Sequence, residues 1–179
     1  MRVVLATVLL SLAAYAALAA DLTPSPKLTV QAPTPASIQA DIIHERKLRQ
    51  YVIAEKAALS VFRRHAQCNQ FAGLVGERSV ETGLPARILA AVAIVESSCN
   101  PNAVSPTGDY GLFQVNAKAH HVSPKVLLDP AKNARIASEF LRALIRQYGA
   151  VEGLHRYNGL GNPTNAYADR VFQVAGYKS

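Results

Sequence analysis

Residues 84–101, LPARILAAVAIVESSCNP, decide how the chain folds. Between Ala86 and Val95 only Arg87 is polar, and the run closes on a carboxylate, Glu96. Val and Ile late in the run are strand formers. The length of the run and its start at Pro85 nevertheless favour a buried helix, because proline suits the first helical turn and core strands are shorter. An ionised carboxylate at such a helix end is disfavoured twice, by the helix dipole and by the apolar wall. Both effects raise its pKa. Glu96 is therefore expected to keep its proton near neutral pH and to act first as an acid and then as a base. The alternative is a glutamate that simply emerges into solvent.

Upstream, NQFAGLVGERSVETG carries Phe71, Leu74, Val75, Arg78 and Val80 at helical spacing and stops at Gly83. The two helices then run antiparallel through a tight turn. Cys68 and Cys99 lie roughly equal distances either side of Gly83, and at ~1.5 Å per residue each arm rises about 20 Å, so both sulfurs reach the same end. This predicts a Cys68–Cys99 disulfide. Zinc is the weaker reading. His44, His65, His120, His121 and His155 show no metal-ligand spacing and are taken as surface or core residues.

Downstream, NPNAVSPTGDYG reads as a loop folding over the helix end that carries Glu96. Three helical stretches follow: DPAKNARIASEFLRALIRQYG, VEGLHRYNG and NAYADRVFQVAG, the last two separated by a Gly-Asn-Pro break. No strand pattern appears. The expected architecture is a small, mainly α domain.

The N-terminal third differs in composition. Residues 1–20 combine one positive charge, a long apolar run and small residues at Ala17 and Ala19, the pattern of a secretory signal peptide cleaved close to Asp21. An uncleaved membrane anchor is the rival, but the run is marginal for a stable span. Residues 21–40, with Pro24, Pro26, Pro33 and Pro35, read as an extended linker. Residues 41–66 place Ile42, Tyr51 and Val52 among charges and read as an amphipathic helix. Residues 67–179 form the expected catalytic domain.

The 179 residues carry a net charge of +7. For an exported protein this suits phospholipid or an acidic wall polymer, or general solubility. The basic residues are scattered and bring no nucleic-acid motif, which argues against nucleic acid.

The ordered blocks Glu96-Ser97, Asn100-Pro101, Ala103-Val104-Ser105, Gly108, Gly111-Leu112-Phe113-Gln114, Arg156-Tyr157-Asn158-Gly159, and Tyr167 before Val171 resemble the catalytic domain of the soluble lytic transglycosylases. The resemblance implies a lysozyme-like fold and an exported, periplasmic or cell-envelope enzyme. Its substrate would be peptidoglycan, cleaved between N-acetylmuramic acid and N-acetylglucosamine with closure of a 1,6-anhydro ring. It implies no cofactor and no stable membrane span after cleavage. Glu96 matches the single catalytic acid/base. Ser97, Ser105, Gly111, Gln114, Tyr157 and Asn158 are the expected substrate-binding positions, with the Tyr157 hydroxyl a candidate to orient the Glu96 carboxyl. Phe113 departs from the usual Met, and Asn116 from the usual apolar residue. The small size and export pattern resemble members that accompany secretion, conjugation or pilus machines, whose components would be partners.

Bland roles stand beside these. Tyr157 can be a half-buried tyrosine, Ser97 a helix-end polar residue, and Gly108 and Gly111 mere turn residues. A buried Gln114 amide needs partners, so a ligand or backbone contact is expected. Two further functions stay open. A hydrolytic muramidase similar to goose-type lysozymes would need an acid to hold water, with Asp109 the candidate. A non-catalytic wall-binding assembly protein is the other.

Overall fold

The computed structural model describes residues 32–159 and 165–177. The expected signal peptide, 1–20, lies outside the described residues, as does the expected linker up to residue 31. The chain divides into two units, residues 1–40 and 41–179. Of the first, residues 32–40 are described, and all are exposed. The second is mainly α and lysozyme-like in fold.

Helix α1, Pro35–Phe62, begins inside the expected Pro-rich linker and ends before residue 66. Pro35 sits at its start, where a missing N–H costs nothing. Its C-terminal turns bury Ala54, Ala58, Val61 and Phe62, whereas Ile42, Ile43, Leu48, Val52 and Ile53 are exposed. The expected amphipathic face is thus used for packing only near its end. A Cβ on Gly76 would come within 2.9 Å of the Glu55 backbone, so glycine lets α1 lie directly on the next helix.

A 3-10 turn, Ala66–Phe71, leads into α2, Ala72–Thr82. Gly83, at φ 75°, ends α2 in the left-handed conformation that glycine adopts freely. Helix α3, Ala86–Ser97, follows and is buried from Ile88 to Ile94. Ala90, Ala91 and Ala93 give it a thin profile, so α2 and α7 (Ala166–Ala175) both pack closely against it. As expected from the hairpin, the structure joins Cys68 to Cys99, 31 residues apart.

Two short strands, β1 (Asp109–Tyr110) and β2 (Val115–Asn116), pair antiparallel with Asp109 opposite Asn116 and Tyr110 opposite Val115. This corrects the strand-free expectation: two-residue strands are too short to display a period of two in sequence. After α4, Pro124–Leu127, the longest helix of the second half, α5, spans Pro130–Tyr148. Asp129 caps it, its Oδ1 accepting from the Ala131 and Lys132 N–H groups at 3.0 and 3.1 Å. Helix α6, Ala150–Tyr157, folds back onto α5, with Gly153 against the Ile145 backbone. Buried Arg78 on α2 is satisfied by Ser138 and the carboxylates of Glu81 and Glu139, tying α2 to α5.

Candidate active site

Glu96 is the penultimate residue of α3, and the end of that helix is held rigidly. The Ser98 N–H donates to Ile94 O at 2.9 Å and the Cys99 N–H to Ala93 O at 3.2 Å. Ser98 and Cys99 both take positive φ, 52° and 61°, which costs about 1 kcal/mol or more per non-glycine residue. The disulfide holds Cys99 there. Ser97 Oγ adds a second anchor, donating to Leu112 O at 2.7 Å and accepting from the Asn100 N–H at 3.1 Å.

The carboxyl fixed in this way is half-buried, and Tyr167 on α7 donates its hydroxyl to Oε1 at 2.5 Å. Burial, the largest influence, pushes the Glu96 pKa up from 4.5 to about 7; the Tyr167 hydrogen bond opposes that, and the negative charge of Asp109 adds to it. The shift runs in the direction expected of an acid at this helix end. Burial dominates.

Glu96 opens into a cleft of about 480 Å³. One wall comes from the β-hairpin and its loop, with Ser105, Asp109, Gln114 and Asn116; the other comes from α5 and α6, with Phe140, Arg156, Tyr157 and Asn158. Asp109 is gripped by donors. Its Oδ2 accepts from Ser105 Oγ at 2.6 Å and Thr107 Oγ1 at 2.5 Å, and its Oδ1 from Asn116 Nδ2 at 2.9 Å. Partial burial would raise its pKa, but the bonds from Ser105, Thr107 and Asn116 outweigh it and hold the carboxyl below the ordinary range. The cleft therefore holds two carboxyls whose pKa values are pushed apart, Glu96 upward and Asp109 downward.

Of the expected substrate-binding residues, Ser105, Gln114, Tyr157 and Asn158 meet at the cleft, whereas Ser97 and Gly111 lie behind it. Gly111, at φ 79°, would place a Cβ 2.3 Å from Leu127 O, so only glycine lets the hairpin pack on α4. Gln114 Nε2 is occupied by Ala103 O and Gly111 O, at 3.2 and 2.9 Å, which leaves Oε1 to accept from a ligand hydroxyl. Phe113 is buried rather than in contact with the cleft, so its exchange for the usual Met alters the core beneath the site. His120 lies on the cleft wall, its ring edge-on to Phe140 at 4.8 Å, and burial lowers its pKa toward the neutral form.

The candidate role of Tyr157 is corrected. Its hydroxyl donates to Phe113 O at 2.9 Å, bracing the turn before Gln114, and it is Tyr167 that reaches Glu96. The only sequence signal for Tyr167 is its place early in the last helix, in the final block of the resemblance.

A helical, lysozyme-like domain with a raised-pKa glutamate at the foot of a polar cleft is the class that fold and site define. The family model described as Transglycosylase SLT domain matches residues 73–178, and the chain belongs to that family. A membrane-bound lytic murein transglycosylase F of Haemophilus influenzae is 42% identical over 62 residues, 34% of this chain and 13% of that protein. The same-named proteins of Histophilus somni, 39% identical over 62 residues, and Photobacterium profundum, 42% identical over 60 residues, share 34% and 33% of this chain. The chain thus aligns with only 13% and 12% of the length of those two relatives.

Proposed function

We propose that this chain is a lytic transglycosylase that cleaves peptidoglycan in the cell envelope, with residues 67–179 as its catalytic domain. The single observation that carries the reading is Glu96: half-buried, its pKa pushed up to about 7, and hydrogen-bonded to Tyr167 at the cleft. In the reaction, Glu96 gives its proton to the glycosidic oxygen as the C1–O4 bond breaks. The N-acetylglucosaminyl residue leaves with a free 4-hydroxyl. The muramoyl N-acetyl group stabilises the electron-poor C1, the carboxylate takes the C6-hydroxyl proton, and O6 bonds to C1. No water is consumed, and Glu96 ends protonated again. One carboxyl suffices for both proton transfers.

Gln114 Oε1 and Asn158 are the groups that would hold sugar hydroxyls and acetamides. Export rests on residues 1–20, and the narrower role, opening the wall for a secretion, conjugation or pilus apparatus, rests on the resemblance noted in the sequence.

A second reading, hydrolysis, is favoured by one observation: Asp109, held as an anion on the hairpin wall of the cleft, is a group able to orient a water. Mass spectrometry of peptidoglycan digested with the purified protein tests both. The proposal expects 1,6-anhydro-muramoyl ends, released at least about a hundredfold more slowly with Glu96→Gln. Reducing muramoyl ends would transfer the function to the muramidase reading, and no released fragments would leave a wall-binding protein.

A further inference from the structure

We propose that Arg156 selects the muramoyl residue by pairing with a carboxylate carried on its lactyl arm; this rests on the glycan-cleaving reading above. Among the described residues lining the cleft, Arg156 is the one Lys or Arg side chain. The net charge of +7 is spread elsewhere over the chain, so it attracts an acidic polymer without choosing how the strand is seated. Inside the cleft, Gln114 and Asn158 offer hydrogen bonds that any N-acetylated sugar can use. Arg156 offers something only an anion can use.

The side chain is built for this. It belongs to the last turn of α6, immediately before Tyr157 and Asn158. Its guanidinium lies over the Tyr148 ring at 4.0 Å, and Nε contacts Glu152 Oε1 at 2.6 Å. These two contacts set the plane of the guanidinium, although Nε itself is buried without a hydrogen-bond partner among the described residues. A guanidinium carries five N–H donors, so both Nη groups remain for a ligand, and no other acceptor meets them among the described residues. The side chain is 32% exposed, enough for a ligand oxygen to reach it. A pre-set planar fork with two donors outward matches a carboxylate better than a sugar hydroxyl. The chemistry of the polymer supplies the partner: the muramoyl residue differs from N-acetylglucosamine only in its lactyl ether. That arm ends in a free carboxylate on denuded strands, or in an amide leading to the carboxylates of the stem peptide. Glu152 keeps Arg156 from being a fully unpaired cation and so limits the gain from pairing.

The test compares three ligands: a neutral chitooligosaccharide, a denuded muramoyl glycan, and the same glycan bearing stem peptides. Binding is measured by calorimetry in the Glu96→Gln protein, so that no ligand is consumed, and KM is measured in the active protein. Arg156→Gln is expected to weaken binding of a carboxylate-bearing glycan about tenfold and raise its KM alike, leaving neutral chitooligosaccharide binding unchanged. Arg156→Lys, which keeps the charge without the fork, is expected to recover part of the loss. Loss confined to denuded glycan places the carboxylate on the lactyl arm itself; loss confined to the peptide-bearing glycan places it on the stem. Equal weakening for neutral and acidic ligands, or no weakening, overturns the proposal, since Arg156 would then only brace α6. Failure of the wild-type protein to cleave any muramoyl glycan would refute the enzyme reading, while the binding comparison would still decide the role of Arg156.

Discussion

Replacing Glu96 with glutamine separates the two consequences of its burial. In the wild-type fold the carboxyl titrates near 7 rather than 4.5. Between those pH values the folded chain holds a proton that the unfolded chain has released, so stability falls as pH rises through the window and levels off above about pH 7. At ~1.4 kcal/mol per tenfold, the ionised carboxylate destabilises the fold by about 3 kcal/mol at pH 8 relative to pH 4. Glutamine keeps the shape, still accepts from Tyr167 and never ionises. The stability difference between Glu96→Gln and wild type should therefore grow by about 3 kcal/mol from pH 4 to pH 8. For a chain of this size that is roughly 6–12 °C in melting temperature. Because Asp109 and His120 titrate in both proteins, the difference between the two curves isolates Glu96.

The same substitution should lower anhydro-product release by about 10²–10⁴-fold, toward the upper end because both proton transfers fall on one residue. The assays are thermal or urea denaturation across pH and single-product mass spectrometry on digested peptidoglycan. Parallel stability curves would show that Glu96 is solvated and ordinary. Product release by the folded variant at a tenth of the wild-type rate would show that another group carries the chemistry, with Asp109 the first to examine.

Tyr167→Phe removes the hydrogen bond that favours the carboxylate, so the Glu96 pKa should rise and the alkaline limb of kcat/KM against pH should move upward, with turnover lowered about tenfold; an unmoved limb would deny the contact. Asp109→Asn removes a charge that disfavours the carboxylate, so that limb should move to lower pH, opposite in sign to Tyr167→Phe. Replacing Cys68 and Cys99 with serine opens a 31-residue loop and should cost about 3–4 kcal/mol in a denaturation experiment; wild-type stability under reducing conditions would contradict it.

What could be read in advance depended on how local its cause was. Helix α3 was legible because ten nearly uniform apolar residues after a proline leave little else to form, and Glu96 was legible because it breaks that run. The disulfide followed from counting residues along two antiparallel arms. The boundaries of α1 were less legible: prolines at 33 and 35 read as linker, yet Pro35 is a helix start. The tyrosines were not separable at all. Tyr157 and Tyr167 both sit in helical stretches near the same cleft, and which hydroxyl reaches Glu96 depends on how α6 and α7 dock on α3, a distance that no local pattern encodes. Gly111 is similar. Its need for glycine comes from Leu127 O, 16 residues away.

The arrangement also explains why the end of α3 is so heavily restrained. A buried carboxylate that costs the fold about 3 kcal/mol above pH 7 would be relieved if the last helical turn unwound and let Glu96 reach water. Unwinding is opposed at each residue that follows. Ser97 is bonded to Leu112 O, Ser98 and Cys99 donate back to the helix, and Cys99 is linked to Cys68. The disulfide is a covalent limit on how far Cys99, and the turn before it, can move. The left-handed residues Ser98 and Cys99 stop the helix directly after its half-buried glutamate. A carboxyl free to relax would return to an ordinary pKa and lose its proton at neutral pH. The staple and the acid are then one device: the restraint on the backbone is what keeps Glu96 able to donate.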